Sequence, residues 1–327
     1  MTDPSERYLV TGSMGCLGSW TVRRLIDLDL NVVAFDLSAD TRRLELLASA
    51  AELERVTFVR GDITDLSTVA EVVERHHITR IIHCAALQIP FVRANPSLGA
   101  RVNVVGTVNV FEAAAANPGQ VLGLAYASAA GVFGPPDLYP GSTVVDDSAQ
   151  MPSTLYGVFK QADEQIARIY WSERGLSSVG LRPWIIYGPG RDQGMTSDVT
   201  VAMLAAAARV PYRIGFGGES LFQFAPDVAA AFVAAAQAGL QGAETFNLGG
   251  ETASIERIVD LLAEIEPTSR EQITFDPTPL PVVSRVNADR FERMVAAPPF
   301  VSLAAGTERS VATFRELLGR NLVKPPS

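Results

Sequence analysis

The sequence is poor in the residues that build metal sites and covalent cross-links. Two cysteines occur in 327 residues, Cys16 and Cys84, far apart and without ligand-like spacing. They read as small buried hydrophobes in a reduced protein, not as a disulfide or a thiolate site. The three histidines, His76, His77 and His83, leave none for the rest of the chain, so no metal is expected. Basic clusters are also missing. The formal net charge is −9, and no Lys/Arg-rich run offers the phosphate-neutralising face that nucleic-acid binding needs. The longest apolar run, 228–236, falls well short of the ~20 residues that span a bilayer, so no membrane role is expected. The opening MTDPSERYLV has no charged segment leading into an apolar stretch, which argues against a secretory leader. These absences point to a cytoplasmic protein with small-molecule partners.

What is present is a core-forming chain, 47% hydrophobic, in which short apolar runs alternate with helical patterns. Strands are expected at 8–11, 31–35, 56–60, 80–84, 121–127 and 177–181. Helices are expected at 16–28, 41–53, 66–75, 97–116 and 154–173. That alternation predicts an α/β fold: a Rossmann-type, doubly wound parallel sheet with helices on both faces. After Pro183 the texture changes. Pro and Gly become frequent, and shorter helices are expected at 198–208, 227–238, 254–265, 287–295 and 307–318. The division expected is a dinucleotide-binding part, 1–184, and a smaller C-terminal substrate-binding lobe, 185–327. Residues 245–248 are a candidate to return to the main sheet.

The first strand runs directly into TGSMGCLG, 11–18. Gly12 permits a tight turn, Gly15 lets backbone approach a pyrophosphate, and Gly18 lets the following helix pack on the sheet. The backbone of Met14, Cys16 and Leu17, at the helix N-terminus, offers N–H groups and a positive dipole end to phosphates. Asp36 ends the second strand, eighteen residues past Gly18. A carboxylate there accepts from both ribose hydroxyls of NAD and repels the 2′-phosphate of NADP, so NAD is the cofactor expected. Arg42 and Arg43 fall on the next helix and do not alter that choice. Asp62 and Ile63 follow the third strand, and Ala85, Ala86 and Leu87 follow the fourth, where a dinucleotide lies. Each of these segments alone is equally well a plain strand-to-helix turn.

Tyr156 and Lys160 lie one helical turn apart on one face. A free tyrosine titrates near pH 10 and is a poor base at neutrality, but a neighbouring ammonium favours the phenolate. Such a pair can take a proton from an alcohol as hydride leaves its carbon, or return one.

Taken together, TGSMGCLG, Asp36, GDITD (61–65), HCAAL (83–87), NVVGTVNVFEAA (103–114), YASAAGVFG (126–134), Tyr156/Lys160 and LRPWIIYGPG (181–190) resemble an extended short-chain dehydrogenase/reductase of the NAD-dependent epimerase/dehydratase family. The resemblance covers nearly the whole chain. It implies that Asn103 supports the active site as a cofactor contact, Lys160 binds the nicotinamide ribose, and Pro183 and Trp184 line the nicotinamide end. It also implies a homodimer through helices 97–116 and 154–173.

The sequence departs from that family in instructive places. The family's catalytic Ser or Thr matches Ala129, and Ser128 is one residue early. A bulge could bring Ser128 in, water could substitute, or catalysis could be weakened. In an extended strand, neighbouring residues face opposite ways. The Asp-Glu pair of the family's sugar-nucleotide dehydratases is replaced by Ala130 and Gly131, which removes the proton carriers for elimination. Ser220 stands where an Arg commonly holds a nucleotide diphosphate. A later Arg-Pro-Gly-Asp stretch is replaced at 281–285, where Arg285 remains. Candidate substrate contacts are Gln88, Ala129, Trp184, Arg191, Gln193, Phe216 and Gln223, with Arg191 suited to a carboxylate or, equally, to anchoring a loop. The leading expectation is NAD-dependent hydride transfer on a secondary alcohol of a small sugar, sugar acid or lactone. A nucleotide-sugar 4-epimerase and a non-catalytic NAD-binding regulator are the alternatives.

Overall fold

The computed structural model describes residues 6–326; the first five, part of the segment read above as leaderless, lie outside the described residues. Seven parallel strands form the main sheet, in the order Ala243–Asn247, Ser178–Arg182, Gly123–Ala127, Arg80–His83, Arg7–Thr11, Asn31–Asp36, Thr57–Arg60. The inner strands are apolar over nearly their whole length because helices cover both faces. In register, Thr11 lies beside both Phe35 and His83. The strand order therefore reverses around Arg7–Thr11, and the crevice at its C-terminal end is where an open α/β sheet binds ligands.

Helix Cys16–Asp27 buries Gly18, Ser19, Val22, Leu25 and Ile26 at helical spacing. Val22 and Leu25 are fully buried, each contributing about 1.5–3 kcal/mol. Against them pack Val228, Phe232 and Phe246, so the Ala-rich helix Ala225–Gln237 and the strand after it belong to the core of the main sheet. The region expected as one helix over 41–53 is two short ones, Arg42–Glu45 and Ala50–Leu53. Ser49 starts the second, with a reciprocal Ser49–Glu52 capping box. The long helix expected over 97–116 is segmented into Pro96–Ala100, a π-helical stretch Arg101–Val105, and Gly106–Ala115. Such wide turns gather at functional sites, and this one carries Asn103.

A second sheet was not legible in the sequence. Ile185–Tyr187 pairs parallel to Glu219–Phe224, which pairs antiparallel to Glu251–Ser254. With helices Asp198–Ala208, Ile255–Ile265 and Leu303–Gly319 it encloses a separate core that includes Met203, Phe222, Ile258 and Phe314. Phe216 is buried in this core and is therefore not a substrate contact. Among the described residues, no helix is long and apolar enough to cross a membrane.

Candidate active site

Two adjoining cavities, of about 510 and 310 Å³, open at the C-terminal edge of the main sheet and share Gly12, Gly15, Cys16, Cys84, Ala86, Gln88 and Arg191. The larger is lined by Met14, Asp36, Asp62, Ile63, Ala85, Leu87 and Gln193, the smaller by Leu17, Gly18, Ser128, Ala129, Tyr156, Lys160, Pro183 and Trp184.

The glycine turn is built as its spacing implies. Gly12 has φ +67°, and a Cβ there would stand 2.6 Å from the Ala85 nitrogen. A Cβ on Gly18 would overlap the Gly12 carbonyl, so this glycine is what lets the helix sit on the turn. Asp36 accepts from the Met14 N–H and the Ser38 N–H, each at 2.9 Å, which fixes its carboxylate at the cavity wall. Arg43 also lines this cavity, contrary to its dismissal from the sequence. Its guanidinium is spent, donating to the Met14 carbonyl at 2.9 Å and to Asp192 at 2.6 Å, so it ties the glycine turn to the loop after the second lobe's first strand. Trp20 adds a parallel tie by donating to the Pro189 carbonyl at 2.8 Å.

These residues fit NAD. The Asp36 carboxylate lines the larger cavity beside the glycine turn. Gly15 borders both cavities, and a Cβ there would meet only the Gly12 carbonyl, at 3.2 Å, so its bareness serves the cavity and not packing. Burial pushes the two thiols facing the cleft up, Cys16 to about 11 and Cys84 to about 12, so neither is a thiolate at neutral pH.

Tyr156 and Lys160 stand on helix Leu155–Arg174. The Thr154 hydroxyl caps it by accepting from the Gly157 N–H at 3.1 Å, and Gly175, at φ +64°, ends it. Gly157 lets the helix press onto the segment after the fifth strand, since a Cβ there would overlap the Gly131 carbonyl. Gly131 in turn lies against the Tyr156 ring, which a Cβ there would meet at 3.5 Å, an ordinary contact. The buried stripe of the helix is Gly157, Lys160, Asp163, Glu164 and Ala167. Three ionisable groups on a core-facing stripe are unusual and must be paired. Lys160 donates to Asp163 at 3.1 Å, and both side chains are 1% exposed. Glu164 receives Arg182 through two bonds of 2.8 and 2.7 Å, and also Gln150 and Ser128.

Four site expectations need correction. The Ser128 hydroxyl donates to Glu164 at 2.5 Å, on the interior side of the strand end, and is not offered to the cavity. Ala129, in extended backbone (φ −163°, ψ 156°), takes the cavity-facing turn, which rules out the bulge that would have brought Ser128 in. Asn103 lines neither cavity. Its amide accepts from the Leu87 N–H at 2.7 Å and donates to the Leu87 carbonyl at 2.9 Å, so it holds the Ala85–Ala86–Leu87 wall from behind. Gln223 is fully buried and saturated, accepting from the Trp184 N–H and donating to the Leu248 and Gly249 carbonyls. Gln193 lines the larger, cofactor-side cavity and not the smaller one. By contrast, Gln88, Trp184 and Arg191 do border the smaller cavity. The Trp184 ring stacks on Phe133 while its N–H donates to the Val283 carbonyl. Sequence reading missed Met195, Thr196, Leu280 and Val282, which close that cavity from distant segments without any local motif.

A dinucleotide cleft at the switch point, with a tyrosine and a lysine facing its inner end, defines an enzyme that couples a nicotinamide cofactor to proton transfer. The sequence pattern of the NAD dependent epimerase/dehydratase family matches residues 8–249, and the chain belongs to that family. It is an NAD-dependent enzyme of the extended short-chain dehydrogenase/reductase type. The chain is 31% identical over 320 residues to a UDP-glucose 4-epimerase of Mycolicibacterium smegmatis, covering 94% of this chain and 98% of that one. It is also 31% identical to the mitochondrial L-threonine 3-dehydrogenase of Bos taurus, over 62% of this chain and 52% of that one. Its fold is shared with a Thermus thermophilus UDP-glucose 4-epimerase solved with NAD, at TM-score 0.79 and 24% identity, covering 94% of this chain and 99% of that one.

Proposed function

We propose that the protein transfers a hydride between NAD and a secondary alcohol of a small polar substrate, a sugar, sugar acid or lactone. The observation that carries this reading is the shared cavity of Tyr156 and Lys160, continuous at Gly12, Gly15 and Cys16 with the cleft that fits the dinucleotide. NAD, when bound, supplies the hydride acceptor and donor. Asp36 would hold its adenosine ribose, the turn at Gly12–Gly18 its phosphates, and Lys160 the ribose nearest the chemistry. The Tyr156 hydroxyl exchanges the proton of the substrate oxygen. Lys160 keeps its ammonium: burial opposes the charge, but Asp163 and Tyr156 outweigh it and raise its pKa. With Ser128 committed to Glu164 and a methyl group at Ala129, the hydroxyls among the lining side chains are those of Tyr156 and of Thr196, and Thr196 accepts from Arg191 at 3.2 Å.

The charged residues lining the smaller cavity are Lys160 and Arg191, both cationic, which favours an acidic or neutral polar substrate over a cation. A second reading, a nucleotide-sugar 4-epimerase, is supported by the Mycolicibacterium smegmatis relative, which spans nearly all of both chains. Incubation with NAD and a panel of sugars, aldonic acids and lactones, followed by NADH absorbance, tests the first reading. Conversion of a UDP-sugar with no net NADH replaces it with the second. Exposed Leu155, Val158 and Ile169 on the catalytic helix, and Leu98 and Val105 on the segmented one, support self-association through these helices. The two protonated thiols are consistent with a cytoplasmic setting.

A further inference from the structure

Lys160 has a counter-charge that the proton-transfer chemistry itself does not call for. Asp163 lies one turn further along the buried stripe, 1% exposed, with Oδ2 accepting from the Lys160 ammonium at 3.1 Å. Its other oxygen, Oδ1, is buried without a hydrogen-bond partner. The neighbouring Glu164 is different in kind, since both of its oxygens are engaged by Arg182, Ser128 and Gln150. A buried carboxylate with one partner and an idle oxygen is expensive to keep. Its field acts on the same ammonium that acts on Tyr156.

Resting on the reading of Tyr156 and Lys160 as the proton-transfer pair, we propose that Asp163 is a positioning residue. It holds the Lys160 ammonium on the buried side of the catalytic tyrosine and offsets part of its charge there. The groups around the Asp163–Lys160 pair leave that role to Asp163. On its own helix stand Lys160, Tyr156 and Glu164, the last neutralised by Arg182. From strand Arg80–His83 comes His83, which burial and Lys160 hold uncharged by pulling it down to about 3, and next to it Cys84, a protonated thiol. From helix Gly106–Ala115 comes the Thr107 hydroxyl, which donates to the Asn103 carbonyl at 2.6 Å and, lying close to Asp163, also favours its charged form. From strand Gly123–Ala127 comes Tyr126, which burial keeps protonated. Burial pushes Asp163 itself up to about 6, so the counter-charge is present at neutral pH and withdrawn in mild acid.

Two helical turns separate Asp163 from Tyr156, about 10 Å along the axis. A unit charge at that distance, in a medium of effective dielectric about 20, moves a titration by about one pH unit. The test needs no substrate. The near-ultraviolet tyrosinate absorbance of the NAD-saturated protein is titrated against that of its Tyr156→Phe variant, so that the difference isolates the one phenol. The same pair is then made in Asp163→Asn and Asp163→Glu backgrounds. The expected result is a Tyr156-dependent step about one pH unit lower in Asp163→Asn, returning toward the parent in Asp163→Glu. A folded, NAD-binding Asp163→Asn protein whose step has not moved overturns the inference. A parent with no Tyr156-dependent step below the range of a free tyrosine overturns the underlying pair instead. Should Asn fail to fold, Asp163→Ser, equally uncharged and smaller, gives the same comparison.

Discussion

Ser128 donates its hydroxyl to Glu164 at 2.5 Å, facing away from the cavity that Ala129 borders. Adjacent residues thus divide two tasks, one tying helix Leu155–Arg174 to the sheet and the other lining the smaller cavity. Ser128→Ala is therefore expected to lower stability by about 1.5–3 kcal/mol, the worth of a bond to a charged group, and to leave turnover unchanged. Ala129→Ser is expected to leave stability within about 0.5 kcal/mol and to keep or raise turnover. Unfolding curves and steady-state rates on the same preparations check both, and loss of turnover in Ser128→Ala would return that hydroxyl to the site.

Glu164 and Arg182 form a bidentate pair, each side chain 4% exposed, and Arg182 lies over the Phe133 ring. Removing one member leaves the other charged and buried. Glu164→Ala is expected to cost about 3–5 kcal/mol, read as a lower urea midpoint at unchanged slope. A loss below about 1 kcal/mol would mean that the charges are solvated.

Tyr156→Phe should reduce turnover by about 10²–10⁴-fold while NAD affinity changes little, because the phenol contributes its proton and not the cofactor grip. Calorimetric NAD titration alongside rate measurement checks the split. Full activity in the variant removes Tyr156 from the chemistry.

Asp36→Ala should weaken NAD by about 10–150-fold, the equivalent of about 1.5–3 kcal/mol for charged hydrogen bonds. It should weaken NADP less, since the lost carboxylate no longer repels a 2′-phosphate. Part of the NAD loss will come through the glycine turn, because Asp36 also holds the Met14 N–H. Equal losses for both nucleotides would show that this second effect is the whole of it.

His83 sits between the Thr11 hydroxyl at 2.7 Å and the Thr107 hydroxyl at 3.1 Å, and burial, aided by Lys160, pulls it down to about 3. Its folded pKa is below its unfolded value, so the unfolded chain binds more protons in between. The stability tied to neutral His83 is present above about pH 6.5 and is lost as pH falls toward 3, at up to about 1.4 kcal/mol per pH unit. Asp163, raised to about 6, opposes this between about pH 4 and 6, so the His83 contribution is read as the difference in Tm against pH between the parent and His83→Gln, which should shift against the parent as pH falls. An NMR resonance of His83 titrating near pH 6.5 in the folded protein would contradict this.

The parts of the molecule that were legible in the sequence are those whose physics is local. The glycine turn, Asp36 and the Tyr156–Lys160 spacing each depend on a few consecutive residues, and the sheet is written in alternating periodicities. What the sequence hid depends on chain segments far apart. Gln223 looks like a substrate contact until the Trp184, Leu248 and Gly249 backbone is folded around it. Arg43 looks like a surface residue on a helix until Asp192 and Met14 meet it across the cleft. Ser128 was open to three readings because the direction of one side chain at a strand end depends on what waits beneath it. Asp163 is the exception. It drew no notice in the sequence, because a carboxylate three residues from a lysine is common on solvent-facing helices, and only burial makes it informative.

The main sheet is closed on one side by Ala243–Asn247, which lies beside Ser178–Arg182. During biosynthesis, Ser178–Arg182 emerges with a bare edge, and about sixty residues must follow before Ala243–Asn247 can pair with it. A clone stopped at residue 184 would also strip helix Cys16–Asp27 of its Ala225–Gln237 partner. The core of the main sheet thus draws on segments beyond residue 184. Gene fusions, truncations and domain exchanges in this protein have to carry the chain through residue 247 to keep it.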